Sequence, residues 1–491
     1  MGSRARSKVT LVAAGLIGLI FSSVTVMTGS SLKWTIALVA AGMSLMVSLP
    51  LPKKNTIALI LFLLAVSIPL DYYPWRQSPG YMRPVTGIGI SFSDLMLAYL
   101  VITWILGVFR GEERIHLPLY AIIPFAAIIP LTFIGLAASG APRIYLIGTL
   151  WYQCKNLLVV AFVVSYAKNP KRMWIMVGAF LAGLIPQALV GFAQYATGSS
   201  IGLDLLGEGG GPREYTGLET GAISRVGGLI GPANKLALYL GTLLPLLVAL
   251  LFSRVSVARK SLIILPLLMA GLLLDGLTFS RGGWYSLAVG AGITTYLCVV
   301  RKSKRWLSGM ALTFGAVIVI GISLYVGVEP IRTRITRSKS STVQSRVGLA
   351  HIAWGMVRRN PVFGIGLGNF LAVSHHFDKT FSAVSYAFPR PVHNEFLLVA
   401  SEIGLPGFFV LLYLMGSVTI LLLKGAFTSR NANTSYLAIG FVGGLITLAF
   451  HMMVEAAYVF VMPHFAVYVG IASAVYHNLD CPQNGEREEH L

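Results

Sequence analysis

The chain has 491 residues, of which 55% are hydrophobic and only 11% are charged, and its mean hydropathy is +0.75. This composition excludes a soluble globular domain and predicts a polytopic membrane protein. The formal net charge of +20 does not require a nucleic-acid partner, because cytoplasmic loops and anionic lipid headgroups explain a basic excess in a membrane protein. The three cysteines, Cys154, Cys298 and Cys481, have no CxxC spacing and predict neither a zinc site nor a disulfide framework.

Apolar windows of the length that crosses a hydrocarbon core recur along the whole chain. The sequence predicts about fourteen such spans. The first span lacks a small-residue cleavage site, so we interpret it as an anchor rather than a signal peptide. The predicted spans lie near residues 9–28, 34–51, 55–70, 94–109, 117–137, 144–166, 173–196, 232–252, 261–280, 283–300, 307–328, 394–423 (broken at 404–407), 436–456 and 459–477.

The charges of the connections orient the predicted spans. When the spans are threaded alternately, one set of connections carries Lys or Arg clusters such as Lys168, Lys171 and Arg172, whereas the other set before residue 329 is nearly free of them. By the positive-inside rule, both termini are cytoplasmic and the long loop at 329–393 is outside.

Three outside segments, 71–93, 197–231 and 329–393, are too long to be simple turns. The segment 329–393 is basic. Within it, residues 345–359 alternate apolar and basic positions with helical spacing, which is typical of an amphipathic helix on a membrane surface. Its apolar positions are Val347, Ala350, Ile352, Trp354 and Val357.

Arg281 ends a predicted span in the sequence TFSRGGWYS. An arginine at a membrane boundary can simply snorkel into the headgroups. However, Gly282 and Gly283 remove bulk beside the guanidinium, and Arg281 lies on the outer side, where the positive-inside rule disfavours it. This combination favours anion binding.

Two further residues of the outer region are candidates for chemistry. Arg346 opens the amphipathic helix, and a guanidinium is well shaped for bidentate phosphate binding. His393 precedes Asn394 and Glu395 at the start of an apolar helix, where an imidazole could take a proton from a sugar hydroxyl or bind a phosphate. His375 and His376 compete for that role.

Other features carry weaker signals. Alternate glycines in PVFGIGLGNF allow close backbone approach to a ligand, but their spacing is not that of a dinucleotide fingerprint. No metal-ligand cluster is predicted. Ionisable residues within or at the ends of spans are functional candidates by default, although helix packing explains most of them. These residues are Lys155, Lys235, Asp275, and Glu455 with His451 at i, i+4.

Together these motifs resemble the O-antigen ligase and O-antigen polymerase superfamily of bacterial membrane glycosyltransferases. The resemblance covers roughly 225–425. It depends on the order and spacing of GLIGPANKLALYL, TFSRGGW, SRVGLAHIAWGMVRRNPVFGIGLGNF and HNEFLLVASEIGLPG. We expect four regions. They are N-terminal transmembrane helices at 1–224, a ligase or polymerase core at 225–425 that includes a periplasmic catalytic loop at 329–393, C-terminal transmembrane helices at 426–477 and a disordered cytoplasmic tail at 478–491.

The resemblance implies an all-α fold of the glycosyltransferase C type in the bacterial inner membrane, with the active site facing the periplasm. It assigns diphosphate binding to Arg281 and Arg346 and the role of base to His393. Lys235, Arg225, Asn394 and Glu395 are secondary candidates for substrate binding. No metal or other cofactor is implied.

The implied partners are an undecaprenyl-diphosphate-linked glycan donor, a glycan or lipid A core acceptor and membrane lipids, and a chain-length regulator protein is a further candidate. The residues do not separate a polymerase, a ligase and a protein O-oligosaccharyltransferase from one another. The alternative from a different class is a membrane transporter of the inorganic carbon type. Transporters commonly have paired broken helices, whereas one unpaired break is predicted here.

Overall fold

The computed structural model describes residues 92–139, 143–203, 208, 225–303, 307, 315 and 340–479. The first three predicted spans, the segment 71–91, nearly all of 307–328 and the tail from 480 lie outside the described residues. The regular secondary structure of the described part is helical, as the all-α prediction requires, and the described part contains no strand.

Sixteen α-helices are described, with a π-helical turn at Lys260–Ile264 between α7 and α8. In chain order they are α1 (Phe92–Phe109), α2 (Leu119–Ala138), α3 (Arg143–Tyr166), α4 (Pro170–Ala182), α5 (Leu184–Thr197), α6 (Ala233–Phe252), α7 (Val257–Arg259), α8 (Leu265–Leu277), α9 (Arg281–Ser303), α10 (Ser340–Arg359), α11 (Phe370–Phe377), α12 (Val384–Ala387), α13 (Glu395–Glu402), α14 (Gly404–Thr428), α15 (Ala432–Met452) and α16 (Pro463–His477).

Eight helical segments of the described chain are long and apolar enough to cross a membrane, so a polytopic membrane protein is confirmed, while the total of about fourteen spans stays a prediction. The eight are Leu119–Ala138, Leu146–Tyr166, Pro170–Thr197, Ala233–Phe252, Val257–Leu277, Arg281–Ser303, Gly404–Thr428 and Ala432–Met452.

The boundaries of two predicted spans are wrong. The predicted span at 436–456 ends at Met452, and the next helix begins at Pro463 rather than at 459. The residues between them form a loop because the N–H groups of Ala457, Tyr458 and Val459 donate to the Glu395 carboxylate instead of to a helix. The predicted break at 404–407 is confirmed at Ile403, between α13 and α14.

Small residues let α6, α9 and α15 pack closely at the centre of the bundle. A Cβ atom added at Gly290 of α9 would lie 2.6 Å from the carbonyl oxygen of Gly443 in α15. A Cβ atom at Gly444 would lie 2.9 Å from the carbonyl oxygen of Thr242 in α6. In a bilayer, such close backbone packing is a main source of helix association.

The connections between helices gather in two groups. In the first group, Asn478 donates to the carbonyl of Ala167 at 3.1 Å, Ser429 donates to the carbonyl of Leu479 and Arg301 donates to the carbonyl of Ser429 at 2.7 Å. All of these connections belong to the set that the charge pattern predicts to be cytoplasmic. The second group, at the opposite helix ends, carries the predicted site residues.

Candidate active site

A tight turn places Arg281 at the start of α9. Phe279 adopts a left-handed conformation with φ of 47°, and the Ser280 side chain then caps α9 by accepting from the Gly283 N–H at 3.3 Å. Arg281 is half-buried. No hydrogen bond or salt bridge ties its guanidinium to another described residue, so this cation remains available beside the N–H groups of a helix N-terminus, which favour anions.

His393 lies directly before α13, where Asn394 caps the helix by accepting from the Leu397 N–H at 2.9 Å. The cap fixes the backbone at the histidine. His393 Nδ1 lies 3.5 Å from Glu455 Oε2, and both side chains are about one-sixth exposed, at 17% and 16%. Burial opposes ionisation of Glu455, but His393, His451 and Asn234 outweigh it and lower the pKa of the carboxyl. His393 therefore faces an ionised carboxylate.

The buried Glu395 holds the loop that carries Glu455. Its two carboxylate oxygens accept from three successive backbone N–H groups, those of Ala457, Tyr458 and Val459, at 2.7 to 2.9 Å. Three such bonds leave the carboxylate well satisfied inside the chain. Glu395 thus has a clear structural role, and its predicted contact with substrate stays untested.

A series of hydrogen bonds connects the α8–α9 turn to Glu455. Arg225 Nε donates to the carbonyl of Thr278 at 2.7 Å, and its Nη2 donates to Asn234 Oδ1 at 2.7 Å. Asn234 Nδ2 then donates to Glu455 Oε2 at 2.6 Å. Lys235 is half-buried in the first turn of α6, beside Asn234. The motif GLIGPANK therefore contributes to the surroundings of Glu455.

The turn with Arg281 and the loop with Glu455 are in contact. A Cβ atom added at Gly282 would lie 2.7 Å from Cγ2 of Val454. Val454 precedes Glu455, which pairs with His393. The glycine after Arg281 thus allows the two segments to approach, and the structure brings Arg281 and His393 to the same short loop.

Arg346 is exposed on α10, whose buried side packs against the residues that flank the His393 and Glu455 positions. Those neighbours are Val392 and Ala456, in a cluster with Leu349 and Ile352. The predicted helix is confirmed, and its place on a membrane surface stays a prediction. Its predicted apolar positions divide between the buried side and the exposed side. Ile352 is buried, whereas Val347 and Trp354 are more than half exposed. The buried positions recur every three to four residues from Ser345 and exclude these two.

The glycine run at 364–368 approaches the protein's own backbone. Ile365 N–H donates to the carbonyl of Ser401 at 3.0 Å, and Gly366 N–H donates to that of Glu402 at 2.9 Å. Gly364, Gly366 and Gly368 all have positive φ. In the structure these glycines allow a contact with the α13–α14 break, and the predicted approach to a ligand stays a prediction.

The remaining candidates have other contacts in the structure. His375 and His376 are exposed on α11, with ring centroids 3.9 Å apart. Lys155 Nζ lies 4.4 Å from the centre of the Tyr152 ring. Asp275 is buried beside the α8–α9 turn, where its carbonyl accepts from Trp284 Nε1 at 3.0 Å. Among the described residues no cluster of three potential metal ligands occurs.

Two contacts of this site were not predicted from the sequence. The i, i+4 spacing predicts that Glu455 and His451 interact, and His451 does help to lower the pKa of Glu455. The spacing does not predict that the loop after Met452 brings Glu455 to within 3.5 Å of His393. His451 Nδ1 lies 3.4 Å from Ser286 Oγ. Asn234 was overlooked, and the only sequence signal for it is its place in the motif GLIGPANK.

One comparison with known proteins identifies a family. Residues 266–412 match the family described as O-antigen ligase. The described fold is that of a polytopic helical membrane protein. The match supports membership of the chain in the O-antigen ligase and polymerase superfamily, so the predicted family resemblance is confirmed. The matched segment includes Arg281, Arg346 and His393.

The other two comparisons do not identify a related protein. A search of curated proteins found no significant match. Among solved structures, a chain from work described as "Structural coordination of polymerization and crosslinking by a peptidoglycan synthase complex" is 14% identical, with a TM-score of 0.40, over 74% of this chain and 98% of that chain. At this TM-score the likeness carries no conclusion about fold or activity.

Proposed function

We propose that this chain is a membrane glycosyltransferase that moves a glycan from an undecaprenyl-diphosphate carrier to an acceptor sugar hydroxyl at the periplasmic face. The O-antigen ligase family match supports glycosyltransferase activity of the ligase or polymerase type. The observation that carries the more specific proposal is the pair of His393 and Glu455, 3.5 Å apart. Val454, the residue before Glu455, packs against Gly282, the residue after Arg281.

In the proposed reaction, His393 takes the proton of the acceptor hydroxyl, and the acceptor oxygen bonds to the anomeric carbon of the donor. The bond from that carbon to the diphosphate oxygen breaks, the diphosphate leaves with the electron pair, and the configuration inverts. Glu455 stabilises the imidazolium that forms and orients the ring, as a carboxylate does for other catalytic histidines.

The two arginines stabilise the negative charge that develops on the leaving diphosphate. Arg281 has a guanidinium without a described partner at a helix N-terminus, and Arg346 extends from the exposed side of α10. Removing one such prepositioned donor costs about 2.7–4 kcal/mol of transition-state stabilisation in comparable oxyanion sites.

The test is turnover of the purified full-length chain with an undecaprenyl-diphosphate-linked oligosaccharide, with and without a lipid A core acceptor. Chain lengthening from the donor alone indicates a polymerase, and transfer only after core is added indicates a ligase. We expect His393→Ala to lose roughly 10²–10⁴-fold in turnover, the usual contribution of a general base.

We expect Arg281→Ala to lose about 10²–10³-fold in turnover, the cost of removing one oxyanion donor. Tyr285→Ala is its matched control. Tyr285 is exposed one turn further along α9, so this variant should retain wild-type turnover. Equal turnover of wild type and His393→Ala would contradict the proposal. The absence of turnover with every pair of donor and acceptor would also contradict it.

A further inference from the structure

The turn at 378–390 displays aromatic side chains to the surroundings. Phe381 is fully exposed, Tyr386 is 72% exposed and Phe388 is 43% exposed. Large aromatic side chains that are exposed together are uncommon on a surface that faces only water, and they commonly indicate a contact site.

The backbone of this turn is held in place. The Asp378 carboxylate accepts from the Thr380 N–H at 2.9 Å, from the Thr380 hydroxyl at 2.5 Å and from the Ser385 N–H at 2.7 Å. Burial opposes ionisation, but these hydrogen bonds outweigh it and lower the pKa of Asp378 to about 2. The turn that carries the rings is therefore held by hydrogen bonds, and the Asp378 carboxylate is used within the turn.

The turn lies along α10. A Cβ atom added at Gly348 would lie 2.8 Å from Cγ2 of Val384, and one at Gly355 would lie 3.7 Å from Cδ1 of Phe377. These glycines are two helical turns apart and share one face of the helix. The neighbouring stripe of α10 contains Val347 and Trp354, which are 52% and 57% exposed. The helix and the turn thus form one exposed surface.

We call this surface the aromatic face and define it by its apolar and basic members. Basic side chains surround the rings, whereas Asp378 is the only acid between residues 340 and 393. The surface is therefore apolar and positively charged. Its members are Val347, Trp354, Arg358, Lys379, Phe381, Tyr386, Phe388 and Arg390.

We propose that the aromatic face binds the surface of the membrane next to the spans, with its rings in the headgroup region and its cations on anionic lipid phosphates. Aromatic rings concentrate at this depth, and clustered Lys and Arg bind anionic headgroups. This inference does not depend on glycosyl transfer.

The test uses nitroxide labels on the full-length chain in proteoliposomes. The background is Cys154→Ser, Cys298→Ala and Cys481→Ser, and single cysteines are introduced as Phe381→Cys, Trp354→Cys and Ser199→Cys. Ser199 is exposed in a segment that is predicted to lie on the same side, so it is the matched control. Accessibility to oxygen, which concentrates in lipid, is compared with accessibility to a water-soluble nickel complex.

We expect labels at 381 and 354 to be several-fold more accessible to oxygen, relative to nickel, than the label at 199 in vesicles that contain phosphatidylglycerol. The ratio should fall in vesicles of phosphatidylcholine alone. Labels at 381 and 354 that match the label at 199 in both vesicle types would overturn the proposal. If the labels at 381 and 354 lose accessibility to nickel only after a lipid-linked glycan is added, the proposal would also be overturned, and the surface would be assigned to the glycan.

Discussion

At the scale of single residues, the contact between His393 and Glu455 depends on Glu395. Glu455 is distant from His393 in sequence and reaches it through a loop that Glu395 holds by accepting from the Ala457 N–H.

The paired carboxylate leads to a prediction for Glu455→Gln. The amide keeps the size of the side chain but removes the charge that stabilises the imidazolium, so turnover should fall about 10-fold to 100-fold, part of what a general base contributes. The effect is measured as kcat per folded enzyme, with the folded fraction determined by size-exclusion chromatography.

A merely structural role of Glu455 would lower the amount of folded protein without lowering kcat per folded enzyme. Glu455→Asp keeps the charge and serves as the matched control, so it should retain more turnover than Glu455→Gln. A kcat of Glu455→Gln equal to that of wild type would contradict the proposed role.

Arg281 and His393 could be recognised from the sequence because both stand in short motifs at the ends of apolar segments, where a charged or titratable group is costly without a use. The pairing of His393 with Glu455 could not be recognised, because it depends on the loop that Glu395 holds.

At the scale of elements, the helix break between α13 and α14 shows what a sequence pattern can predict. The cluster of Gly404, Pro406 and Gly407 predicted the break, and the structure confirms it. The pattern could not predict what the break packs against. The loop at 361–366 binds there, since the Leu405 N–H donates to the carbonyl of Pro361 at 2.8 Å.

This packing predicts that Gly404→Ala destabilises the chain. Gly404 has φ of 88°, and an added Cβ atom would collide with the carbonyl oxygen of Val362. Strain of this kind costs about 1–3 kcal/mol, so the midpoint of thermal unfolding in detergent should fall. Gly416→Ala in the same helix meets nothing within 4 Å and should leave the midpoint unchanged or raise it, because alanine favours a helix.

The last residue of α13 gives the fold a pH dependence. Glu402 is fully buried and accepts from the Phe370 N–H at 3.0 Å through Oε1, while Oε2 has no hydrogen bond to a described residue. Burial raises the pKa of this carboxyl from 4.5 to about 8. Because the folded-state pKa lies above the unfolded one, the stability from this group is complete below about pH 4.5 and declines as the pH rises towards 8.

Glu402→Gln should remove that decline, because the amide keeps an acceptor for Phe370 and cannot ionise. The measurement is the difference in unfolding midpoint between variant and wild type, followed from pH 5 to pH 8. The difference should grow in favour of the variant as the pH rises. A constant difference would show that Glu402 does not titrate in this range.

At the scale of the whole molecule, hydropathy predicted the described spans because length and composition alone decide whether a helix can cross a bilayer. It failed where tertiary contacts replace helical hydrogen bonds, as at residues 453–462. The charge pattern was more informative than the individual boundaries. It divided the connections into two sets, and the first of these sets is joined by hydrogen bonds through Ala167, Arg301, Ser429 and Asn478.

This grouping leads to a prediction about orientation. Twenty Lys and Arg residues lie in connections of the first set, including its tails, so by the positive-inside rule that set faces the cytoplasm and His393 faces the opposite side. In a background without native cysteines, Ser199→Cys should react with a membrane-impermeant maleimide in intact spheroplasts. Thr428→Cys, which is exposed in the first set, should react only after permeabilisation. The reverse labelling pattern would place the His393–Glu455 pair on the cytoplasmic side, where a periplasmic glycan acceptor could not reach it, and the proposed reaction would fail with it.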